Sequence, residues 1–159
     1  FNFDTYYTNM STITIGNPAP NFSGINQSEI PVSLENYKGK KLVLYFYPKD
    51  DTPGCTAESC DLRDNYQRFI EAGYEVLGVS PDTAAKHQKF IAKYELPFDL
   101  IADTDHSVSE AFGVWVEKSM YGKKYMGIAR TTFIINESGL IEDIIEKVNT
   151  KAHTTQILK

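Results

Sequence analysis

Short apolar runs alternate along the chain with stretches in which apolar residues recur every three or four positions. Residues 41–47, KLVLYFY, form an almost continuous apolar run that Pro48 ends. Such a run is typical of a strand buried on both faces, because neither face presents a row of polar side chains. Residues 74–79 form a second run of this kind and residues 99–102 a shorter one. They predict three buried strands, with a further short strand near residues 31–34.

The stretch after the first run has the spacing and the end signals of a helix. Residues 52–72 are predicted to form one helix. Thr52 suits its N-cap, Pro53 its first position and Gly73 the position after its end. Its expected inner face carries Leu62, Tyr66, Phe69 and Ile70.

Strands and helices continue to alternate, with further helices predicted over residues 82–94 and 105–112. That order implies a largely parallel sheet covered by helices on both faces. The pattern then changes, because residues 130–135 and 140–148 are apolar-rich strands joined by Asn-Glu-Ser-Gly, a hairpin signal. A last helix is predicted over residues 150–159. We therefore expect an α/β, thioredoxin-like fold with a central mixed sheet flanked by helices.

Composition fits a single globular domain. The 159 residues are 42% hydrophobic and 13% aromatic, enough for one sizeable core and short for two. We expect one domain over residues 10–159. Residues 1–9, FNFDTYYTN, lack the pattern of a secretion signal and are expected to be a tag or a disordered extension. The longest apolar run, about six residues, is far below the roughly 20 that a membrane span needs, so a soluble chain is expected.

Charge and cysteine content narrow the expected partners and compartment. Sixteen basic against 21 acidic residues give a net charge of −5, which disfavours nucleic acid and anionic membranes as partners. Two cysteines cannot build a disulfide framework, and a chain of this size does not need one. We therefore expect a reducing, cytoplasmic setting. In such a setting the two cysteines are better explained by a chemical role than by a structural disulfide.

Both cysteines lie in the segment DDTPGCTAESC, residues 50–60. If the helix starts after Thr52, Cys55 lies in its first turn, where backbone N–H groups lack intrahelical acceptors and the helix dipole is positive. This position favours the thiolate, which is the nucleophilic form. The Thr52 hydroxyl is placed to cap the helix or to donate to the sulfur, and Gly54 has no side chain to obstruct an incoming molecule. The alternative is a small buried residue that packs under a strand end.

The string Pro-Lys-Asp-Asp-Thr-Pro-Gly-Cys, residues 48–55, resembles the P-x-x-x-T-x-x-C active-site motif of the peroxiredoxins, thiol peroxidases built on a thioredoxin-like fold. A second cysteine five positions later and the flanking YFYPKDDTPGCTAESC narrow the resemblance to the bacterioferritin comigratory protein, or PrxQ, subfamily. The resemblance covers nearly the whole chain from Ile15 and includes GIARTTFIIN. It implies a peroxidase that reduces hydrogen peroxide and organic hydroperoxides and needs no metal or organic cofactor.

The resemblance also implies a role for each matching position. Cys55 would be the peroxidatic nucleophile, Thr52 the hydroxyl that orients peroxide and sulfur, and Pro48 a shield against solvent. Arg130, which opens the predicted strand RTTFII, would be the cation beside the sulfur. A guanidinium there stabilises the thiolate and the oxygen that becomes negative as the O–O bond breaks. The alternative for Arg130 is an ordinary surface ion pair.

Cys60 is implied by the resemblance to resolve the sulfenic acid formed on Cys55. Five residues along an α-helix place two Cα atoms roughly 8.6 Å apart, whereas a disulfide needs less than about 7 Å. The first turns of the helix would therefore have to unwind. An inert thiol and resolution by another molecule are the alternatives for Cys60. The family further implies thioredoxin or glutaredoxin as the reductant, and we expect a monomer or a weak homodimer.

The other polar and aromatic candidates are expected to be structural. Glu58 should mainly complement the helix dipole. Three histidines lack the spacing of metal ligands and are expected to be solvated, namely His87, His106 and His153. The segment before the hairpin is expected to be a loop whose large side chains wall the peroxide pocket, form a partner surface or simply pack: Trp115, Tyr121, Tyr125 and Met126. Its lysines are expected to be solvated: Lys118, Lys123 and Lys124.

Two other functions fit parts of the pattern. A thiol-disulfide reductase would use the same fold but is expected to carry C-x-x-C, which this sequence does not contain. A redox sensor would have Cys55 oxidised once and would pass the signal to a partner without turnover. Catalytic consumption of peroxide separates both of them from a peroxidase.

Overall fold

The computed structural model describes residues 13–159, so the extension predicted at residues 1–9 lies outside the described residues. Its strands are β1 (Ser23–Ile25), β2 (Pro31–Ser33), β3 (Lys41–Phe46), β4 (Tyr74–Ser80), β5 (Asp99–Ala102), β6 (Trp115–Met120), β7 (Lys123–Ile128), β8 (Thr131–Ile135) and β9 (Ile141–Ile145). Its α-helices are α1 (Pro53–Asp64), α2 (Tyr66–Glu71), α3 (Ala84–Tyr94), α4 (Ser107–Ala111) and α5 (His153–Ile157), and a 3₁₀ helix spans Leu34–Tyr37. Within this part of the chain no helix has the length and apolar character needed to cross a membrane.

The central sheet has five strands in the order β5-β4-β3-β8-β9. β3, β4 and β5 are parallel neighbours, whereas β8 is antiparallel to β3 and β9 is antiparallel to β8. The predicted α/β fold with a mixed central sheet is confirmed. Phe46 lies opposite Thr131 in the β3-β8 ladder. The residues just after β3 and just before β8 therefore share one edge of the sheet.

Side chains of the central sheet divide between two hydrophobic cores, one on each face. Along β3, Val43 and Tyr45 belong to one core, whereas Leu44 and Phe46 belong to the other. The first core also contains side chains from α1, α2, α3 and α5, and the second contains a side chain from α4. Cys55 lies in the first core. Burial of both faces of β3 explains why its sequence is almost continuously apolar.

The prediction of one helix over residues 52–72 is wrong, because the helix divides at Asn65. The backbone of Asn65 (φ −111°, ψ 11°) leaves helical geometry, and its side-chain amide donates to the Asp61 carbonyl at 2.8 Å. An asparagine side chain that bonds a backbone carbonyl one turn earlier competes with the helical hydrogen bonds. Of the predicted inner face, Phe69 is fully buried, whereas Ile70 is exposed.

An antiparallel hairpin, β6-β7, occupies the segment that was predicted to be a loop. β6 and β7 pair along their whole length. Tyr121 and Gly122 connect them with positive φ angles of 52° and 79°, as in a tight two-residue turn. The prediction of a loop is therefore wrong. Most side chains of the two strands are exposed or half-buried, so little apolar alternation marks them in the sequence.

Gly78 in β4 leaves room for the Tyr45 ring and the Leu100 side chain to pack against the backbone, and we predict that Gly78→Ala destabilises the protein. A Cβ at this position would lie 2.6 Å from Leu100 Cδ2 and 2.9 Å from Tyr45 Cζ, both fully buried. Overpacking of this kind costs about 1–3 kcal/mol, and urea unfolding measures it. Gly127→Ala is the matched control, since its nearest neighbour is the flexible Lys118 chain at 3.3 Å. Equal losses in the two variants would contradict the prediction.

Candidate active site

The candidate site lies at the edge of the sheet where β3 ends and α1 begins. Thr52 is the N-cap residue by its extended backbone and Pro53 is the first helical residue, so Cys55 lies in the first turn. The residue is 1% exposed. The backbone N–H groups of a first turn have no intrahelical acceptors, and together with the helix dipole they favour a negative charge on the sulfur.

Arg130 reaches the sulfur of Cys55 from the position just before β8, the strand beside β3. Its Nη2 donates to Cys55 Sγ at 3.2 Å, although the residues are 75 positions apart in sequence. The β3-β8 register explains this contact, because Arg130 immediately precedes β8 at the edge where the chain leaves β3. A Cβ on Gly54 would lie 3.3 Å from the same nitrogen. The lack of a side chain at Gly54 thus leaves room for the guanidinium.

The second arm of the Arg130 guanidinium binds a buried carboxylate. Its Nη1 donates to Glu58 Oε1 at 2.7 Å, and the Glu58 side chain has no exposed surface. Burial raises the pKa of Glu58 to about 7 even though Arg130 opposes the rise, and Asp61 adds to it. The expectation that Glu58 merely complements the helix dipole is therefore wrong. The sequence contains one signal for a position in the site, because Glu58 follows Cys55 by three residues and therefore lies on the same face of the helix.

Two of the three histidines are fully buried, so the expectation that they are solvated is wrong. His153 on α5 has its Nε2 2.8 Å from Thr132 Oγ1 and 3.5 Å from Glu58 Oε2. His87 on α3 has its Nδ1 2.6 Å from Asp50 Oδ2. No local sequence signal marks His153, because it meets Glu58 only through the packing of α5 against α1.

A buried polar network fixes the loop between β3 and α1. The Tyr47 hydroxyl donates to Asp50 Oδ1 at 2.6 Å, and the other oxygen of Asp50 bonds His87. The backbone N–H of Asp50 donates to Asp82 Oδ2 at 2.7 Å. All four side chains are buried. We assign this network a structural role, since it holds the chain in the conformation that leads into α1.

The Thr52 hydroxyl neither caps the helix nor donates to the Cys55 sulfur. It donates to the Lys49 carbonyl at 2.9 Å, and α1 has no side-chain hydrogen bond from its N-cap residue. Both roles expected for this hydroxyl are therefore wrong in this state of the protein. Pro48 directly follows the last paired residues of β3 and is half-buried.

Cys60 lies farther along the same helix, next to a surface groove lined also by Thr56 and Tyr94. Cys60 and Cys55 are both free thiols. Because α1 is continuous between them, their Cα atoms stand roughly 8.6 Å apart by helix geometry, beyond the reach of a disulfide. Burial raises the pKa of the Cys60 thiol, with Arg63 opposing the rise.

The β6-β7 hairpin contributes one further cation near the site. Lys118, expected to be solvated, is half-buried. Burial lowers its pKa, Arg130 lowers it further and Cys55 opposes the decrease, so Lys118 lies within electrostatic reach of both. Trp115 stacks on His106 with ring centroids 3.7 Å apart. The other large side chains of the hairpin are exposed: Tyr121, Tyr125 and Met126.

Among residues 13–159, no group of three or more His, Cys, Asp or Glu side chains is arranged to hold a metal ion.

Comparisons with known proteins show which family the chain is similar to. The model of the AhpC/TSA family matches residues 15–144. Peroxiredoxin Bcp of Bacillus subtilis is 47% identical over 148 residues, 93% of this chain and 94% of that protein. Peroxiredoxin Bcp of Escherichia coli is 43% identical over 149 residues, 94% and 96% of the two chains. A structure of the Xanthomonas campestris bacterioferritin comigratory protein, described with an alkyl peroxide reduction activity, has a TM-score of 0.81 at 37% identity and covers 86% of this chain and 87% of that one.

The buried Glu58 carboxyl predicts a pH-dependent loss of stability that Glu58→Gln should remove. Its pKa is 4.5 when unperturbed and about 7 in the folded protein, so the folded state binds the extra proton between these values. Stability contributed by this proton is fully present below about pH 4.5 and is lost as the pH rises through about 7, a change of about 3 kcal/mol. Urea unfolding at a series of pH values measures the difference between parent and variant.

Glu71→Gln is the matched control for this comparison, because the Glu71 side chain is exposed at the end of α2. It should leave the pH profile of stability parallel to that of the parent. A difference between the parent and Glu58→Gln that stays constant from about pH 4.5 to about pH 7 would contradict the prediction.

Proposed function

The chain belongs to the AhpC/TSA family and is a peroxiredoxin of the Bcp/PrxQ group, and from that membership we propose that Cys55 reduces peroxides through a sulfenic acid that Cys60 resolves. The observation that carries the proposal is the 3.2 Å contact between Arg130 Nη2 and Cys55 Sγ in the first turn of α1. It joins a helix N-terminus and a permanent cation at one sulfur. Both stabilise a thiolate.

The first chemical step is attack by the Cys55 thiolate on the terminal oxygen of the peroxide. The S–O bond forms as the O–O bond breaks, the leaving oxygen takes a proton to become water or an alcohol, and Cys55 is left as a sulfenic acid. We assign Arg130 to the charge that develops on the departing oxygen. Thr52 is assigned to orient the peroxide, Pro48 to limit solvent access, and Gly54 to keep the approach open.

The proposed substrates are hydrogen peroxide and organic hydroperoxides. The alkyl peroxide reduction activity described for the Xanthomonas campestris relative supports the second class. The mostly apolar surroundings of Cys55 are compatible with an alkyl group. No metal or organic cofactor enters the proposed reaction, since both electrons come from the sulfur.

Resolution by Cys60 forms a disulfide and releases water from the sulfenic acid. The intervening turn of α1 has to unwind for the two sulfurs to meet. Glu58 and Ser59, which lie in that turn, are fully buried, and Ser59 Oγ is 2.9 Å from the Tyr45 hydroxyl. Oxidation would therefore pull buried polar side chains out of their contacts, which links the redox state to local unfolding.

Recycling of the disulfide requires a dithiol reductant, and we propose thioredoxin or glutaredoxin for this role. The groove beside Cys60 offers an exposed approach to one of the two sulfurs. We further propose a cytoplasmic monomer or weak homodimer without nucleic acid or membrane partners, because the chain has a net charge of −5 and a cysteine pattern suited to a reducing compartment.

Turnover separates the peroxidase from a one-time sensor and from a disulfide reductase. We expect Cys55→Ser to abolish peroxide consumption coupled to NADPH through thioredoxin and its reductase. Cys60→Ser should complete one turnover and then recycle slowly, because its sulfenic acid has no internal partner. Thr56→Ser, a conservative change on the same helix, is the control. Full turnover by Cys60→Ser would contradict internal resolution, and a single turnover by the parent would favour the sensor.

Disulfide formation should lower helix content and raise backbone amide exchange over residues 53–62. Hydrogen exchange measured on the reduced and the disulfide-bonded protein tests this expectation, with α3 as the internal reference because it contains neither cysteine. The reason is geometric, since an intact helix holds the two residues too far apart. Unchanged exchange over residues 53–62 in a sample shown to contain the disulfide would contradict it.

A further inference from the structure

The buried carboxylate behind Cys55 has one oxygen that the peroxidase reaction leaves unexplained. Glu58 Oε1 accepts from Arg130, but Glu58 Oε2 has no hydrogen-bond partner among the described residues and no exposed surface. The ionisable atom facing it is His153 Nε2, at 3.5 Å, on an equally buried ring. An ionised carboxylate oxygen without a donor is costly in such surroundings.

The hydrogen bonds of α5 determine which nitrogen of the His153 ring carries a hydrogen. Its Nδ1 lies 2.7 Å from Gln156 Oε1. The orientation of the Gln156 amide is fixed in turn, because Oε1 also accepts from the Asn149 N–H at 2.9 Å and Nε2 donates to the Lys147 carbonyl at 2.9 Å. Since the oxygen can only accept, His153 Nδ1 must be the donor. A neutral ring therefore has its lone pair on Nε2.

That lone pair is directed to the side of the ring where Thr132 and Glu58 lie. The Thr132 hydroxyl is 2.8 Å from Nε2 and Glu58 Oε2 is 3.5 Å from it. If Glu58 is ionised and His153 neutral, two lone pairs face each other. A proton between Glu58 Oε2 and His153 Nε2 removes this repulsion, and for a proton held by Glu58 the nearest acceptor is Nε2, which the Thr132 hydroxyl also contacts. The geometry therefore calls for one proton between the two atoms.

The electrostatic surroundings place this proton on Glu58. Burial raises the pKa of Glu58 to about 7 and lowers the pKa of His153, so that a neutral pair is preferred up to about neutral pH. Arg130 favours the ionised carboxylate, and Asp61 favours protonation of both groups. The remaining ionisable groups around the pair and its arginine come from α1, β3 and β6, namely Cys55, Tyr45 and Lys118.

We propose that Glu58 holds a proton for which His153 Nε2 is the acceptor, and that this pair is a positioning element that controls how strongly Arg130 acts on the Cys55 sulfur. The proposal rests on the roles given above to Cys55 and Arg130. With Glu58 neutral, the Cys55 thiolate is the one anion that the guanidinium contacts among residues 13–159. When Glu58 ionises, the same guanidinium is divided between two anions, and a new negative charge stands one helical turn from the thiolate.

Infrared titration of the reduced protein tests the proton directly. The parent should show a carboxylic acid carbonyl band that Glu58→Gln lacks and that disappears as the pH rises, with a midpoint at about 7. His153→Asn retains an N–H for Gln156 but removes the acceptor, so the midpoint should fall by about one pH unit. An unchanged midpoint in His153→Asn, or no band that depends on Glu58, would overturn the proposal.

Single-turnover kinetics test whether the protonation of Glu58 controls the action of Arg130 on the sulfur. The measured quantity is the second-order rate constant of the reduced parent with hydrogen peroxide, divided by that of Glu58→Gln. This ratio should be constant below about pH 6 and fall about tenfold by about pH 8.5. The ratio removes the contribution of thiol ionisation that both proteins share. In His153→Asn this fall should occur at lower pH, in step with the infrared midpoint. A ratio that does not depend on pH would overturn the proposal.

Thr155→Ala is the matched control, because the exposed Thr155 hydroxyl bonds the Ala152 carbonyl on the same helix without contacting the pair. A purely structural role for α5 would make this variant and His153→Asn behave alike, and that result would also overturn the proposal. A parent that does not react with peroxide would defeat the proposed function, whereas the infrared midpoints would still decide whether Glu58 and His153 form the pair.

Discussion

One guanidinium joins the two acidic groups of the site, and the rest of the structure depends on where that side chain is held. Arg130 donates to the Cys55 sulfur with one nitrogen and to the Glu58 carboxyl group with the other. Arginine suits this position because its donors lie in a rigid plane and its charge does not titrate in the working pH range. The buried carboxyl group fixes one arm of the guanidinium, which orients the other arm toward the sulfur.

The fold brings these groups together through strand register and helix packing. Antiparallel pairing of β3 with β8 sets Phe46 opposite Thr131, so the chain enters α1 at the edge from which Arg130 extends. Two hydrogen bonds tie α5 to α1, because Asp61 Oδ2 accepts from both the backbone N–H and the hydroxyl of Thr154 at 2.7 Å. His153 is the neighbouring residue, and this tie places its ring beside Glu58.

Two predictions from local sequence patterns were wrong, the continuous helix and the loop before the last hairpin. In each case a side chain or a turn interrupts an otherwise regular pattern. The apolar spacing of residues 52–72 continues through Asn65, but the amide of that residue takes the Asp61 carbonyl and divides the helix. The β6-β7 hairpin is held by backbone pairing and a Tyr121-Gly122 turn, with few buried side chains to mark it. Neither feature disturbs the apolar periodicity on which the predictions depend.

The sequence by itself determined the alternation of strands and helices, the place of Cys55 in a first helical turn and the peroxiredoxin motif around it. These features depend on residues within a few positions of one another, whose spacing carries the information. Only the tertiary structure decided that Glu58 is buried against Arg130 and that His153 faces it. Such contacts join residues 72 and 75 positions apart, as the Arg130 bonds do, and they follow from strand register and helix packing, which no local pattern records.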